Sequence, residues 1–146
     1  MYKQLTGALT LCAALGFSHA VLAAQPSEDA TLHFQAIGKG DVAQVMADYA
    51  DNAQLNWVGG PLDGTYRGAS DIRSVWDKFS KAQGPLKVSM DTLQESANPK
   101  GATVTANVQF TGTQLINVRY VLTYREDKIA NETWQIVPVS PAPSAY

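Results

Sequence analysis

The side chains best suited to moving protons are His33, Asp63 and Tyr66. The chain has two histidines, and His33 is the one that lies beyond its first two dozen residues. An imidazole titrates near neutrality, so an enclosed His33 could serve as a general acid or base. On a helix surface it would be an ordinary capped or part-exposed residue. Asp63 falls in the run Gly59-Gly60-Pro61-Leu62-Asp63-Gly64. It is either an acid facing a cavity or the aspartate of an Asp-Gly turn. Tyr66 could donate a proton, and Tyr66 and Tyr120 together could orient a carbonyl or simply cap the edge of a sheet.

A second group would hold a ligand rather than transform it. Trp57 and Trp76 offer faces on which a ring or acyl chain can stack, and they serve equally as core packing. Arg119 in a sheet-lined hollow would need an anionic partner; on the other face of its strand it is merely solvated. Asn56, Asp91, Asn117 and Glu132 share that ambiguity, because a period of two does not say which face is inner. Beyond residue 24 the chain has one histidine and no cysteine, which does not make a metal site. No glycine-rich phosphate loop follows a strand, so no cofactor is expected.

Elements to position these residues are legible in the hydrophobic periodicity. Pro26 and Ser27 open a first helix, with Glu28 and Asp29 against the positive end of its dipole. It carries Leu32, His33, Phe34, Ala36 and Ile37 and breaks at Gly38-Lys39-Gly40. Asp41 caps a second helix with Val42, Val45, Met46 and Tyr49 on one face. A strand from Gln54 to Val58 then bends through Gly59–Gly68 into a third helix, whose face is Ile72, Val75, Trp76 and Phe79. Past Gln83-Gly84-Pro85 the period becomes two. Alternating runs around Leu86–Met90, Ala102–Phe110, Ile116–Tyr124 and Trp134–Val137 predict a meander of about four strands. Helices followed by an antiparallel meander indicate an α+β fold, a curved sheet with the N-terminal helices on its concave face. A hollow of that kind is the usual place for a small molecule.

At 146 residues with a formal net charge of −2, the chain has the size of one domain and lacks the basic surface that nucleic acid requires. Lys3, an apolar run from Leu5 to Phe17 and small residues at Ala20, Ala23 and Ala24 predict a signal peptide over 1–24. Its removal would take away Cys12, the single cysteine. The expected organisation is signal peptide 1–24, domain 25–138 and irregular tail 139–146. A periplasmic or secreted location follows, with no membrane association after cleavage.

Several strings also resemble the nuclear transport factor 2-like superfamily, in its SnoaL-like and ketosteroid isomerase-like branch. They are Gly40-Asp41, Tyr49-Ala50-Asp51-Asn52-Ala53, Pro61-Leu62-Asp63-Gly64-Thr65-Tyr66-Arg67-Gly68, Arg119-Tyr120-Val121-Leu122-Thr123-Tyr124 and Trp134-Gln135-Ile136-Val137. The resemblance implies a cone-shaped α+β barrel with an internal cavity, often dimeric through the outer face of its sheet. It implies that the isomerase base position falls at or beside Trp57, the tyrosine position near His33, and the second acid at Arg119 or Tyr120. None of these is the residue the isomerase uses, so the resemblance brings the cavity without that reaction. Three functions remain open. The first is binding of a small, largely apolar molecule. The second is isomerase, cyclase or dehydratase chemistry with His33 or Asp63 as base and Tyr66 as proton donor. The third is a dimeric scaffold without a ligand.

Overall fold

A proline at the start of a helix gives up no useful amide, and Pro26 opens α1 (Pro26–Lys39) in the computed structural model, which describes residues 25–138. The expected signal peptide and tail lie outside the described residues. Helix α1 ends where Gly40 adopts a left-handed backbone, φ 70°, and its N–H turns back to Ala36 and Ile37 carbonyls. The break therefore falls within the Gly38-Lys39-Gly40 run, as expected, and at its last residue. Gly38 has a different task. A methyl group there would collide with Val88 and stand 2.9 Å from the Leu86 carbonyl oxygen. The Leu86 N–H donates to the Gly38 carbonyl at 2.7 Å, so the chain crosses the helix at backbone contact. Gly38→Ala should destabilise the fold by about 1–3 kcal/mol, the usual cost of overpacking. Denaturant unfolding with an unchanged m-value would report it, and an undiminished midpoint would refute the close crossing.

Asp41 caps α2 (Val42–Ala47), its Oδ1 accepting the Gln44 N–H at 3.1 Å. The helix is shorter than its periodicity predicts. Tyr49, expected on its apolar face, is instead the first residue of β1 (Tyr49–Val58). The Gly59–Gly68 segment, the lip loop, also holds an unexpected strand, β2 (Gly64–Arg67), which pairs antiparallel with β1 before α3 (Gly68–Gln83) begins. Then come β3 (Lys87–Asn98), β4 (Gly101–Thr111), β5 (Leu115–Arg125) and β6 (Lys128–Val137). Glu126 and Asp127, both at positive φ, make the two-residue turn from β5 to β6.

The six strands lie in the order β2-β1-β6-β5-β4-β3. The sheet is open and mixed: β6 returns alongside β1 in parallel, where an all-antiparallel sheet was expected. Its inner face carries the core, with Val104, Ala106, Val108 and Phe110 on β4, Val118, Tyr120 and Leu122 on β5, and Leu55 and Trp57 on β1. Onto it pack Phe34 and Ile37 of α1 and Ile72, Val75, Trp76 and Phe79 of α3. The helices and the buried sheet face thus form the α+β arrangement expected.

One irregularity positions the site. Across the β5–β6 pair, Tyr124 faces Ile129 and Thr123 faces Asn131, leaving Ala130 as an extra residue. Strict alternation from Ile129 would send Glu132 to the outer face. The bulge shifts the phase, so Ile129, Glu132 and Trp134 are all buried.

Candidate functional site

Beneath α1 lies a group of ionisable side chains that the core encloses. His33 and Glu132 are wholly buried. The imidazole Nδ1–H donates to Asp48 Oδ2 at 3.0 Å and the Nε2–H to Glu132 Oε1 at 3.3 Å. Tyr49 donates its hydroxyl proton to Glu132 Oε2 and accepts the Trp76 indole N–H at 2.8 Å. Burial alone would lower the His33 pKa. The Glu132 charge, with hydrogen bonds from the ring to Asp48 and Glu132, overrides it and raises the value to about 9. At neutral pH the ring is an imidazolium between two carboxylates. Burial, reinforced by the Glu132 charge, pushes the Tyr49 and Tyr120 hydroxyls well above their ordinary range, so both stay protonated. The Asp48 side chain is 27% exposed and is where this network meets water.

A separate hollow opens at the other end of the tryptophan cluster. It measures about 520 Å³ and lies between the C-terminal half of α3, the lip loop and the ends of β1, β5 and β6. Trp57, Leu62, Phe79, Ile116, Trp134 and Ile136 supply most of its apolar wall. Trp57 stacks on Trp134 with centroids 4.5 Å apart, and Trp134 on Phe110 at 5.1 Å. None of His33, Asp48, Tyr49 or Glu132 lines the hollow. The link is Trp76, whose ring packs on Trp57 and Trp134 while its N–H reaches Tyr49. Among the described residues, no cluster of three or more His, Cys, Asp or Glu side chains is spaced to hold a metal ion.

The residues nominated from sequence are thus scattered. His33 is in the charged network, Trp57 in the wall of the hollow, and Trp76 between the two. Asp63 is exposed, its Oδ1 accepting the Gly59 N–H at 2.7 Å, so it serves the turn. Tyr66 donates to the Leu62 carbonyl at 2.7 Å, within the same loop. Asn56 lies on the outer side of β1, bonded to Gln54, Asn131 and Thr65. Arg119 also points outward, its Nη1 donating to Asn107 at 3.4 Å, whereas its neighbour Tyr120 is fully buried. Asp91 is exposed on β3. Asn117 lines the hollow with its Oδ1 buried and, among the described residues, unpartnered. The hydroxyls of Tyr120 and Tyr124 and the indole nitrogens of Trp57 and Trp134 likewise have no hydrogen-bond partner among the described residues.

Sequence reasoning missed Asp48 and Tyr49 and left Glu132 undecided. For Glu132 a signal existed: it stands two residues before Trp134 and four before Ile136, in phase with both. A strand expected only over Trp134–Val137 begins too late to include it.

A family model described as "SnoaL-like domain" matches residues 30–132. No match was found among curated proteins. Among solved structures, an NTF2-like protein of unknown function from Pseudomonas putida KT2440 superposes with a TM-score of 0.66 at 18% identity, covering 82% of this chain and 89% of that one. A protein from Streptomyces avermitilis, provisionally named a dehydratase of the NTF2-like family, gives 0.61 at 15%, covering 79% and 95%. A ketosteroid isomerase-like protein from Erwinia carotovora atroseptica SCRI1043 gives 0.62 at 13%, covering 77% and 93%. At these identities the likeness is one of fold.

Proposed function

The chain belongs to the SnoaL-like domain family, and on that premise we propose that it binds a small, largely apolar molecule in the hollow bounded by Trp57, Phe79, Ile116 and Trp134. The observation that carries this reading is the separation of wall from charge. Most of the hollow's wall is aromatic and aliphatic, with its polar members Lys78, Gln83, Gln114 and Asn117, while the buried His33–Glu132 cluster lies behind Trp76. A volume of about 520 Å³ suits a ligand of one or two rings. Leu115 and Val137, two large apolar residues 44% and 42% exposed, line the hollow at the start of β5 and the end of β6. Exposed apolar surface gathered at a cavity mouth favours a ligand site over a solid scaffold. The same proposal has the protein exported and paired with a second copy through the outer face of its sheet.

Native mass spectrometry of protein purified from its own source should show a retained mass that denaturation releases. Calorimetry with 2-naphthylmethanol, a neutral two-ring probe, should show binding that Ile116→Asp weakens about tenfold or more, because a carboxylate then stands in an apolar wall. Equal affinity in both proteins would move the ligand elsewhere, and no binding to either would end the proposal.

A second reading, isomerase, cyclase or dehydratase chemistry, draws on His33, which has the protonation partners of an acid–base group. A substrate held in the hollow would reach it only past Trp76. Turnover lost in His33→Gln with 2-naphthylmethanol affinity retained would favour that reading.

A further inference from the structure

Within the hollow's lining one side chain is charged. Lys78, on the third turn of α3, lies at the edge of the apolar wall, and Gln83, Gln114 and Asn117 complete the polar lining. Among the described residues Lys78 makes no ion pair. The surface beside it does not neutralise it either. The adjoining depression on α3 gathers Arg73, Lys78 and Lys81 around a single acid, Asp77. The local charge is therefore positive on a chain whose formal total is −2. The carbonyl end of α3 opposes an anion, but that effect fades within the last helical turn, which begins beyond Lys78.

A lysine beside an aromatic wall recognises a particular molecular shape. Its four-carbon stem lies along apolar surface while the ammonium stays at the mouth, where it meets a charge on the outer end of a guest. Lysine acts as a point charge rather than a two-pronged fork, so it accepts any carboxylate oxygen that comes within reach. Trp134 is fully buried between Trp57 and Phe110, so the surface left to a guest is chiefly that of the half-buried Leu62, Ile116 and Ile136.

We propose that the hollow selects carboxylates with a largely apolar body, that body against Leu62, Ile116 and Ile136 and the carboxylate at the mouth on Lys78. This rests on the small-molecule reading above and adds to it the charge of the ligand.

The test compares three probes of one shape by calorimetry at low salt: 2-naphthoate, 2-naphthylmethanol and 2-naphthylmethylammonium. The carboxylate should bind about tenfold tighter than the alcohol, the effect of one charge-assisted hydrogen bond, and the ammonium weakest of the three. Raising the salt should shrink the first difference, since the pair is at the surface. In Lys78→Met the ratio of carboxylate to alcohol affinity should fall to near one, and in Lys78→Arg it should persist. Carboxylate and alcohol binding equally to the unaltered protein would overturn the carboxylate assignment while leaving the hollow as a binding site. A preference that survives Lys78→Met would overturn it as well. If none of the three probes binds, the hollow is not a site for molecules of this shape, and both readings fall together.

Discussion

Glu132→Leu should lower the unfolding free energy by about 3–5 kcal/mol, the cost of stranding a buried charge by removing its partner. The imidazolium of His33 would lose its one fully buried acceptor and keep only Asp48, which water already reaches. Tyr49 would lose the acceptor for its hydroxyl, although it would still receive the Trp76 N–H. His33→Leu should cost a similar amount, because Glu132 would then be a wholly buried carboxylate held by Tyr49 alone. The double variant is the informative one. With both charges gone and two leucines filling comparable volume, the loss should be well below the sum of the two single losses. Denaturant unfolding of the four proteins gives the coupling directly. Single losses under about 1 kcal/mol, or strictly additive ones, would mean that the pair is not the tightly coupled unit described.

The pH dependence of stability follows from the same ring. The folded value for His33, about 9, lies above the ordinary 6.5. A raised folded value means that the native state holds the proton more tightly than the unfolded chain. The resulting stabilisation is fully present below pH 6.5 and fades as the pH rises towards and through 9. A shift of that size corresponds to about 3 kcal/mol. The other titratable groups around the ring are Asp29 on α1, Asp48 before β1, Tyr49 on β1, Tyr120 and Tyr124 on β5, and Glu132 on β6. The tyrosines are pushed upward and stay neutral over this range. Asp29 is raised chiefly by its partial burial and then by Asp48, and as a carboxylate it titrates on the acid side. Unfolding free energy should therefore fall between pH 7 and 10, and the fall should vanish in the double leucine variant. A flat profile in the unaltered protein would show that His33 is neutral in the folded state.

Much of the fold was legible because periodicity and turn chemistry agreed. Ile72, Val75, Trp76 and Phe79 mark a helix face, and all four are buried. The β4 and β5 alternations appear as inner and outer faces in register from Ala102–Tyr124 to Thr111–Leu115. What stayed hidden depends on partners distant in the chain. Tyr49 satisfies the α2 spacing, but the helix stops at Ala47 and Tyr49 passes to a strand whose other side is β6. Strand β2 is only four residues long and carries no alternation strong enough to stand out. The charged network was less legible still. Asp48, Tyr49 and Glu132 come together only because β6 returns beside β1 and because one extra residue at Ala130 turns Glu132 inward. Asp63 and Tyr66 illustrate the opposite case. Their types suggested chemistry, while their bonds to Gly59 and Leu62 go into shaping a turn.

The chain contains three tryptophans, and all of them meet in one cluster, with ring centroids between 4.5 and 5.5 Å. Its ultraviolet emission therefore arises from a single spot, and excitation passes among the three indoles before it is released. Rings this close and fixed also couple in their absorption, giving a paired signal of opposite signs in near-ultraviolet circular dichroism. A guest settling beside Trp57, or a proton leaving His33 behind Trp76, would be read without any attached dye. The protein thus carries its own optical gauge at the junction between its hollow and its buried charges.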